Sequence, residues 1–172
     1  MQSGSNDARR LAARVAAGAE IRDVRLFKSN LELLEFESAT GELRYSVDID
    51  AQTNFEPGAD RFVLRSTYSL SIDTVSGEGS TVARISFELA ALFSLDDEAQ
   101  AADLREEEIE AFAKSTGQMA LWPFAREYVF DSTGRLGLPP LAIGVFRVPL
   151  DRSDVEAVSG DEVAPEVNSI SE

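Results

Sequence analysis

Three runs of strict alternation limit what this chain can become. Leu43, Tyr45, Val47 and Ile49 alternate with Arg44, Ser46, Asp48 and Asp50. Phe62, Leu64, Tyr68, Leu70 and Ile72 stand against Val63, Arg65, Thr67, Ser69, Ser71 and Asp73, and Ala83, Ile85, Phe87, Leu89, Ala91 and Phe93 against Arg84, Ser86 and Glu88. A period of two sends successive side chains to opposite faces of a strand, so each run has one face to bury and one for water. Turn chemistry separates the runs: Pro57-Gly58 within Asn54 to Asp60, and Ser76-Gly77-Glu78-Gly79. Ahead of them, Glu20 to Glu37 is rougher, with Ile21, Val24, Leu26 and Phe27 followed by Leu31, Leu33, Leu34 and Phe36. It reads as a long strand with a bulge or bend near Lys28 to Asn30, where the alternation changes phase, and it ends at a turn over Ala39-Thr40-Gly41-Glu42. Four successive strands joined by short turns predict an antiparallel meander with one apolar face.

Helical spacing takes over on either side. Asp7 is placed to cap a short helix over Ala8 to Ala17, ended by Gly18. Downstream, acids precede a helix starting near Glu106, with Ile109, Phe112 and Ala113 on its inner stripe, and Gly117 is expected to break it. A central helix then runs from about Leu121 to about Arg135. Trp122, Ala125, Val129, Ser132 and Leu136 form one stripe and Phe124 and Tyr128 another, so this helix needs cover on two sides. Pro123 fits its first turn, and Gly134 or Gly137 supplies a left-handed stop. After it, Leu138-Pro139-Pro140-Leu141 is too proline-locked for helix and leads into an apolar arm with Ile143, Val145, Phe146, Val148 and Leu150. That arm is either an ordinary strand or loop folded over the sheet, or apolar surface left for something else. The fold class is α+β: the four-stranded sheet, a central Pro-containing helix and an additional N-terminal helix.

Composition removes whole classes of chemistry. The 172 residues suffice for one core, burying roughly 70% of the surface of the unfolded chain. There is neither Cys nor His, which eliminates disulfides, thiolate nucleophiles, Ser-His machinery and the usual zinc ligands. With 31 acidic against 16 basic residues and a formal charge of −15, a nucleic-acid or anionic-membrane surface is not expected. The opening Met1 to Arg10 lacks the apolar segment of a secretory signal, and no window approaches a membrane span, so a cytoplasmic location is expected. Residues 1–150 read as the domain. The stretch 151–172, with seven acids and one Arg, reads as a disordered acidic tail.

The acidic clusters lack metal-loop spacing. Asp48 with Asp50, Asp96-Asp97-Glu98 and Glu106-Glu107-Glu108 do not follow a calcium loop, and adjacent acids at a helix start diverge, so solvated charge is the reading. Ser76 to Gly79 lack the Lys-Ser/Thr and the helix of a phosphate loop. Glu127, beside Arg126 in an apolar helix, is the one carboxylate that desolvation could tune, against the plainer reading of an ion pair or packing contact. Asp131 and Arg135 form an i,i+4 pair.

One stretch carries a family resemblance. Leu-Trp-Pro-Phe-Ala-Arg-Glu (Leu121 to Glu127), a short helix and then Gly-Leu-Pro-Pro-Leu resemble the Phe-Pro-Tyr-Ala-Arg-Glu … Arg-Gly-x-Phe-Pro-x-Leu signature of SecB-type protein-export chaperones. Ala-Leu-Phe-Ser (Ala91 to Ser94) resembles that family's Gly-Ile-Phe-Ser, and a weaker likeness extends over about residues 20 to 150. The resemblance implies an ATP-independent holdase, not an enzyme and without cofactor or metal. It implies that the post-helical arm borders a groove for unfolded clients, whether preproteins or an antitoxin. The matching candidates are Leu138, Leu141, Ile143, Val145 and Phe146, with Phe36 and Phe55 beside them. It also implies a homotetramer with the Pro-containing helix at the interface, through Trp122, Phe124, Ala125, Tyr128, Val129 and Ser132.

Departures from the family pattern bear on the service performed. The positions that would dock SecA as a further partner carry Asn30, Arg84 and Ser86, and Leu34 replaces another acid. Ala19 to Leu26, Ala-Glu-Ile-Arg-Asp-Val-Arg-Leu, looks more like the SecB-like chaperones of toxin–antitoxin systems. Export and antitoxin protection both stay open, as does a different class: a small-molecule-binding protein or enzyme with a pocket between sheet and central helix, using Glu127.

Overall fold

The computed structural model describes residues 3–36, 42–75, 80–96 and 103–146. The turns expected at 39–41 and 76–79, most of the acidic run after Asp96, Val148 and Leu150 of the arm, and the tail at 151–172 fall outside those residues. Strands β1 (Ala19–Leu33), β2 (Leu43–Asn54), β3 (Arg61–Thr74) and β4 (Thr81–Leu95) form one antiparallel sheet. Helix α1 (Ser3–Ala16) precedes it; α2 (Glu106–Phe112), a π-helical turn (Ala113–Gly117) and α3 (Gln118–Arg135) follow as one continuous helix.

The α+β class and the four strands stand as read, but the strand order is β1-β4-β3-β2, not a simple meander. Only β2, β3 and β4 follow one another, and β1 docks outside β4, giving a Greek-key order. Alternation specifies faces, not neighbours. In β1 the alternation slips twice, between Ile21 and Asp23 and between Leu26 and Lys28. The second slip places the exposed Phe27 on the water-facing side, where the Arg65 guanidinium covers its ring at 4.3 Å.

The core is the helix-facing side of β3 and β4. Phe62 stacks on Phe93 at 5.2 Å, and both rings meet Phe112 edge-on. Tyr68 stacks on Phe87 at 4.8 Å, and Tyr128 closes on Phe87 from α3. Such pairs add about 0.5–1.5 kcal/mol each to the burial of their area. The turn between β2 and β3 is a type II turn over Glu56 to Ala59: Ala59 N–H donates to Glu56 O, Pro57 takes the first central place and Gly58 has φ +82°.

Three helical expectations change. Asp7 lies inside α1 rather than capping it, in an exposed pair with Arg10. Gly117 does not break the helix, because a π turn carries the chain through it. A methyl group there would collide with Leu64, so the missing side chain lets the helix press against β3. Pro123 is therefore well inside a continuous helix, not in a first turn. It lies on the exposed side with Met119, whose carbonyl loses its i+4 donor and can turn to water. The stop is Gly137, at φ +75°. Leu138 N–H donates to Thr133 O and Gly137 N–H to Gly134 O, closing a Schellman motif.

Glu108 is the acid that is not solvated. It is fully buried, accepts from Arg14 and from the Arg105 backbone N–H at 2.9 Å, and so ties α1 to α2 beside Ala12 and Val15. Glu107 instead pairs with Arg105 at 2.7 Å, so the adjacent acids do diverge.

Candidate functional site

β2 is an outer strand whose helix-facing side chains are only half covered. Leu43, Tyr45, Val47, Ile49, Ala51 and Thr53 all point to the helix layer, since they pair with the inward residues of β3 from Thr74 to Leu64. Except for Tyr45, which is 38% exposed, they are half-buried. Among the described residues no strand lies beyond β2; α3 lies over β3 and β4, while α2 and the π turn reach the Ala51–Thr53 end of β2, so the Leu43 end of this row floors a trough open along one side.

The arm after α3 roofs one half of that trough. Thr133 Oγ1 accepts from Leu141 N–H at 3.0 Å, holding the arm at the end of α3. Leu138, Pro139, Pro140 and Leu141 then face Leu43, Tyr45 and Ile72 across a cleft of about 290 Å³. The arm turns back along α3, and Gly144 is fixed from two sides: Trp122 Nε1–H donates to its carbonyl at 2.8 Å, and its N–H donates to the Tyr45 hydroxyl at 2.9 Å. Phe146 packs against Trp122 at 5.5 Å.

The residues expected to meet a client are therefore split. Leu141 lines the cleft, and Leu138, although only 4% exposed, does so too. Phe146 is half-buried and Val145 is 78% exposed, whereas Ile143 is wholly buried as the arm's anchor. Phe55, half-buried, meets Phe62 edge-on at 6.4 Å beyond the far end of β2. Phe36, 86% exposed, follows β1 near the β3–β4 hairpin, where Leu34 and Glu35 N–H groups donate to Val82 O. Phe36 and Phe55 thus sit at opposite ends of the sheet. Leu43, Tyr45 and Ile72, not singled out beforehand, complete the lining. The sequence marked them only as apolar sides of alternating strands; that β2 is an outer strand follows from the sheet order.

The stripes of α3 are used differently. Trp122, Ala125, Val129 and Ser132 face their own sheet, with Ala125 and Val129 fully buried. Phe124 is exposed and Tyr128 half-buried against Phe87, and both bound a shallow cleft with Val24, Leu26 and Leu89. Glu127 is exposed there, not desolvated. The Asp131–Arg135 pair is formed at 2.7 Å. Beneath α3, Tyr68 donates to Gln118 Oε1 and Gln118 Nε2–H to Ser66 Oγ, a buried polar chain fixing the start of the helix over β3. Burial pushes the Tyr68 hydroxyl up to about 12, partly offset by the Ser66 hydroxyl. No helix among the described residues is long and apolar enough to cross a membrane.

The chain is 36% identical over 156 residues to the SecB-like chaperone Rv1957 of Mycobacterium tuberculosis H37Rv, covering 84% of this chain and 86% of that protein. It belongs to the SecB-like chaperones. SecB-like chaperone MT2006 of M. tuberculosis CDC 1551 matches to the same extent. No family profile matches this SecB-like chain. The fold agrees with the solved structure of the M. tuberculosis Rv1957 SecB-like chaperone in complex with a ChAD peptide from the Rv1956 HigA1 antitoxin. The TM-score is 0.75 at 36% identity, over 83% of this SecB-like chain and 100% of that one. The four-stranded antiparallel sheet with its helices is the architecture of that relative.

Proposed function

We propose that this SecB-like chain is an ATP-independent holdase that shelters a disordered apolar segment of another protein, with an antitoxin as the client. The observation that carries the reading is the half-covered row from Leu43 to Thr53, roofed on one side by Leu138 and Leu141. Covering apolar surface yields roughly 25 cal/mol per Å², or ~1.5–3 kcal/mol for each large side chain that becomes buried. The term has no direction, so it selects exposed apolar chain and passes over folded proteins, which hide such segments. With −15 overall, flanking basic residues strengthen the encounter.

Antitoxin protection is favoured over export. Asn30, Arg84 and Ser86 share the water-facing side of the sheet, Asn30 opposite Ser86, and present an amide, a cation and a hydroxyl where an export chaperone would offer acidic and apolar groups to SecA. A homotetramer and a cytoplasmic location belong to the same proposal; the exposed apolar Leu26 and Phe124, flanking Tyr128, support self-association through this face. Several troughs on one particle would then hold one client chain with the gain that linked sites give. The enzyme reading is not favoured, since Glu127, its one candidate acid or base, is exposed and not enclosed between sheet and helix.

The test is light scattering from a chemically denatured protein diluted into buffer. The wild-type chain suppresses aggregation without nucleotide, and Leu43→Asp loses most of that suppression while keeping its circular dichroism. A wild-type protein that leaves aggregation unchanged overturns the proposal.

A further inference from the structure

The outer edge of β2 has a phase that can be read from one bond. Val75 N–H donates to Glu42 O at 2.9 Å, in the same register that sets Leu43 opposite Thr74. Hydrogen-bonded and non-bonded positions alternate along an antiparallel pair, so Glu42 is a bonded position and Leu43 is not. The register runs unbroken to Asn54, and Arg44, Ser46, Asp48 and Asp50 therefore turn their N–H and C=O toward β3. Tyr45, Val47 and Ile49 turn theirs the other way, where no strand lies among the described residues. These are also residues whose side chains floor the trough. One row thus presents apolar groups to the helix layer and backbone donors and acceptors along the rim.

Edge strands are ordinarily blunted by Pro, Lys or bulges. β1, at the opposite edge, slips register twice, the second time at Lys28. β2 has no slip, Pro or Lys from Leu43 to Asn54. Its Ala51–Thr53 end lies close to the helical layer, which leaves Tyr45 to Ile49 as the stretch that another chain can reach. A second copy of this chain fits that edge poorly. Two-fold antiparallel pairing at greatest overlap sets Asp48 opposite Asp48 or Asp50 of the copy, and like charges directly opposite destabilise a sheet. Both acids are exposed on the water-facing side, and Asp50 accepts from the neutral Gln52 amide at 3.1 Å, which leaves its charge unbalanced. An added strand with Lys or Arg at those places gains from both.

We propose that the client is held as an added strand on β2, hydrogen-bonded to the main chain of Tyr45, Val47 and Ile49, with its apolar residues in the trough and its cations beside Asp48 and Asp50. The inference rests on the trough being the client site. In an antiparallel addition, client residues bonded to Val47 and Ile49 carry their side chains to the helix-facing side, and the residues between them reach the two acids. Main-chain bonds are alike for every sequence, so they add affinity without narrowing the choice of client. They also set a second criterion, because a folded protein has no unpaired backbone to give.

Val47→Pro deletes one outward N–H without touching the ladder to β3, and it keeps more apolar surface than Val47→Ala. Binding of reduced carboxamidomethylated lysozyme, a cationic unfolded chain, should be about five- to tenfold weaker for Val47→Pro than for Val47→Ala. Equal binding, or tighter binding by the proline variant, overturns the inference. Amide exchange in the wild-type full chain decides if Val47→Pro does not fold. Tyr45, Val47 and Ile49 amides should exchange fast in the free protein and at least about tenfold more slowly with lysozyme bound. Amides that lysozyme leaves unchanged overturn the inference, and so do amides already protected in the free protein, since the edge is then filled by this chain or a second copy. The trough reading survives each of these results as long as lysozyme binds. A wild-type chain that does not bind it sinks both.

Discussion

A methyl group added to Gly117 would lie 2.7 Å from Cδ2 of Leu64, a side chain with no exposed surface. The π turn and the bare backbone at Gly117 together let the long helix sit on β3. Gly117→Ala gains up to about 1 kcal/mol of helix propensity but overpacks the contact by about 1–3 kcal/mol. A net loss of about 1 kcal/mol in urea unfolding is expected. Leu64→Val should recover part of it, with a coupling energy above about 0.5 kcal/mol in the double-mutant cycle.

Arg14→Ala removes the side-chain partner of Glu108, whose carboxylate is fully buried. Because Arg14 is itself 43% exposed, the expected cost is about 2–3 kcal/mol, below that of a wholly buried pair. Arg10→Ala, which removes the exposed partner of Asp7, should change stability by less than about 1 kcal/mol. Protease nicking ahead of β1 would report release of α1 in the Arg14 variant alone.

Tyr68 ties stability to high pH. Its folded hydroxyl titrates near 12 against an ordinary value of 10, so the unfolded chain gives up this proton first. Stability is unaffected by Tyr68 below about pH 9 and falls as pH rises from about 10 to about 12, by about 2–3 kcal/mol in all. Urea unfolding at pH 8 and pH 11 checks the loss. In Tyr68→Phe the Tyr68 share of the slope disappears, while stability at pH 8 drops by about 1 kcal/mol because Gln118 Oε1 loses its donor.

Tyr45→Phe deletes the acceptor for Gly144 N–H. At about 1 kcal/mol for the hydrogen bond, local opening rises roughly fivefold, and amide exchange at Gly144 should accelerate by that factor. Exchange at Ile85, in the middle of β4, should not change. Uniform acceleration at both sites would mean that the hydroxyl supports the whole fold and not the arm.

The strands were legible because Leu43–Ile49, Phe62–Ile72 and Ala83–Phe93 keep strict alternation with half of each strand against a core. Their order was not, since nothing in the period of two says that β1 lies beside β4. Gly117 read as a break because a glycine between helical stretches usually is one; only the proximity of Leu64 reveals why it is there. Ser66 was a missed clue. A hydroxyl between Leu64 and Tyr68 on the buried face called for a partner, and Gln118 supplies it. Within the candidate site, Leu138 and Leu141 were expected from the family resemblance and line the cleft, but the floor was not legible. β2 looks like any half-buried strand until the sheet order leaves it on the outside. The α3 stripes were visible as well, yet composition could not say which faces the chain's own sheet, and Trp122, Ala125 and Val129 turned out to do so.

The floor of the trough belongs to a strand, and that sets a ruler for whatever rests on it. Apolar groups recur along β2 at every second residue, a spacing of about 6.8 Å. A guest laid out straight, with greasy side chains at positions one, three and five, falls into step with this row. A guest coiled into a helix repeats every 3.6 residues and drifts out of step within a few contacts. The protein would thus measure how far its guest is stretched before it measures what the guest is made of.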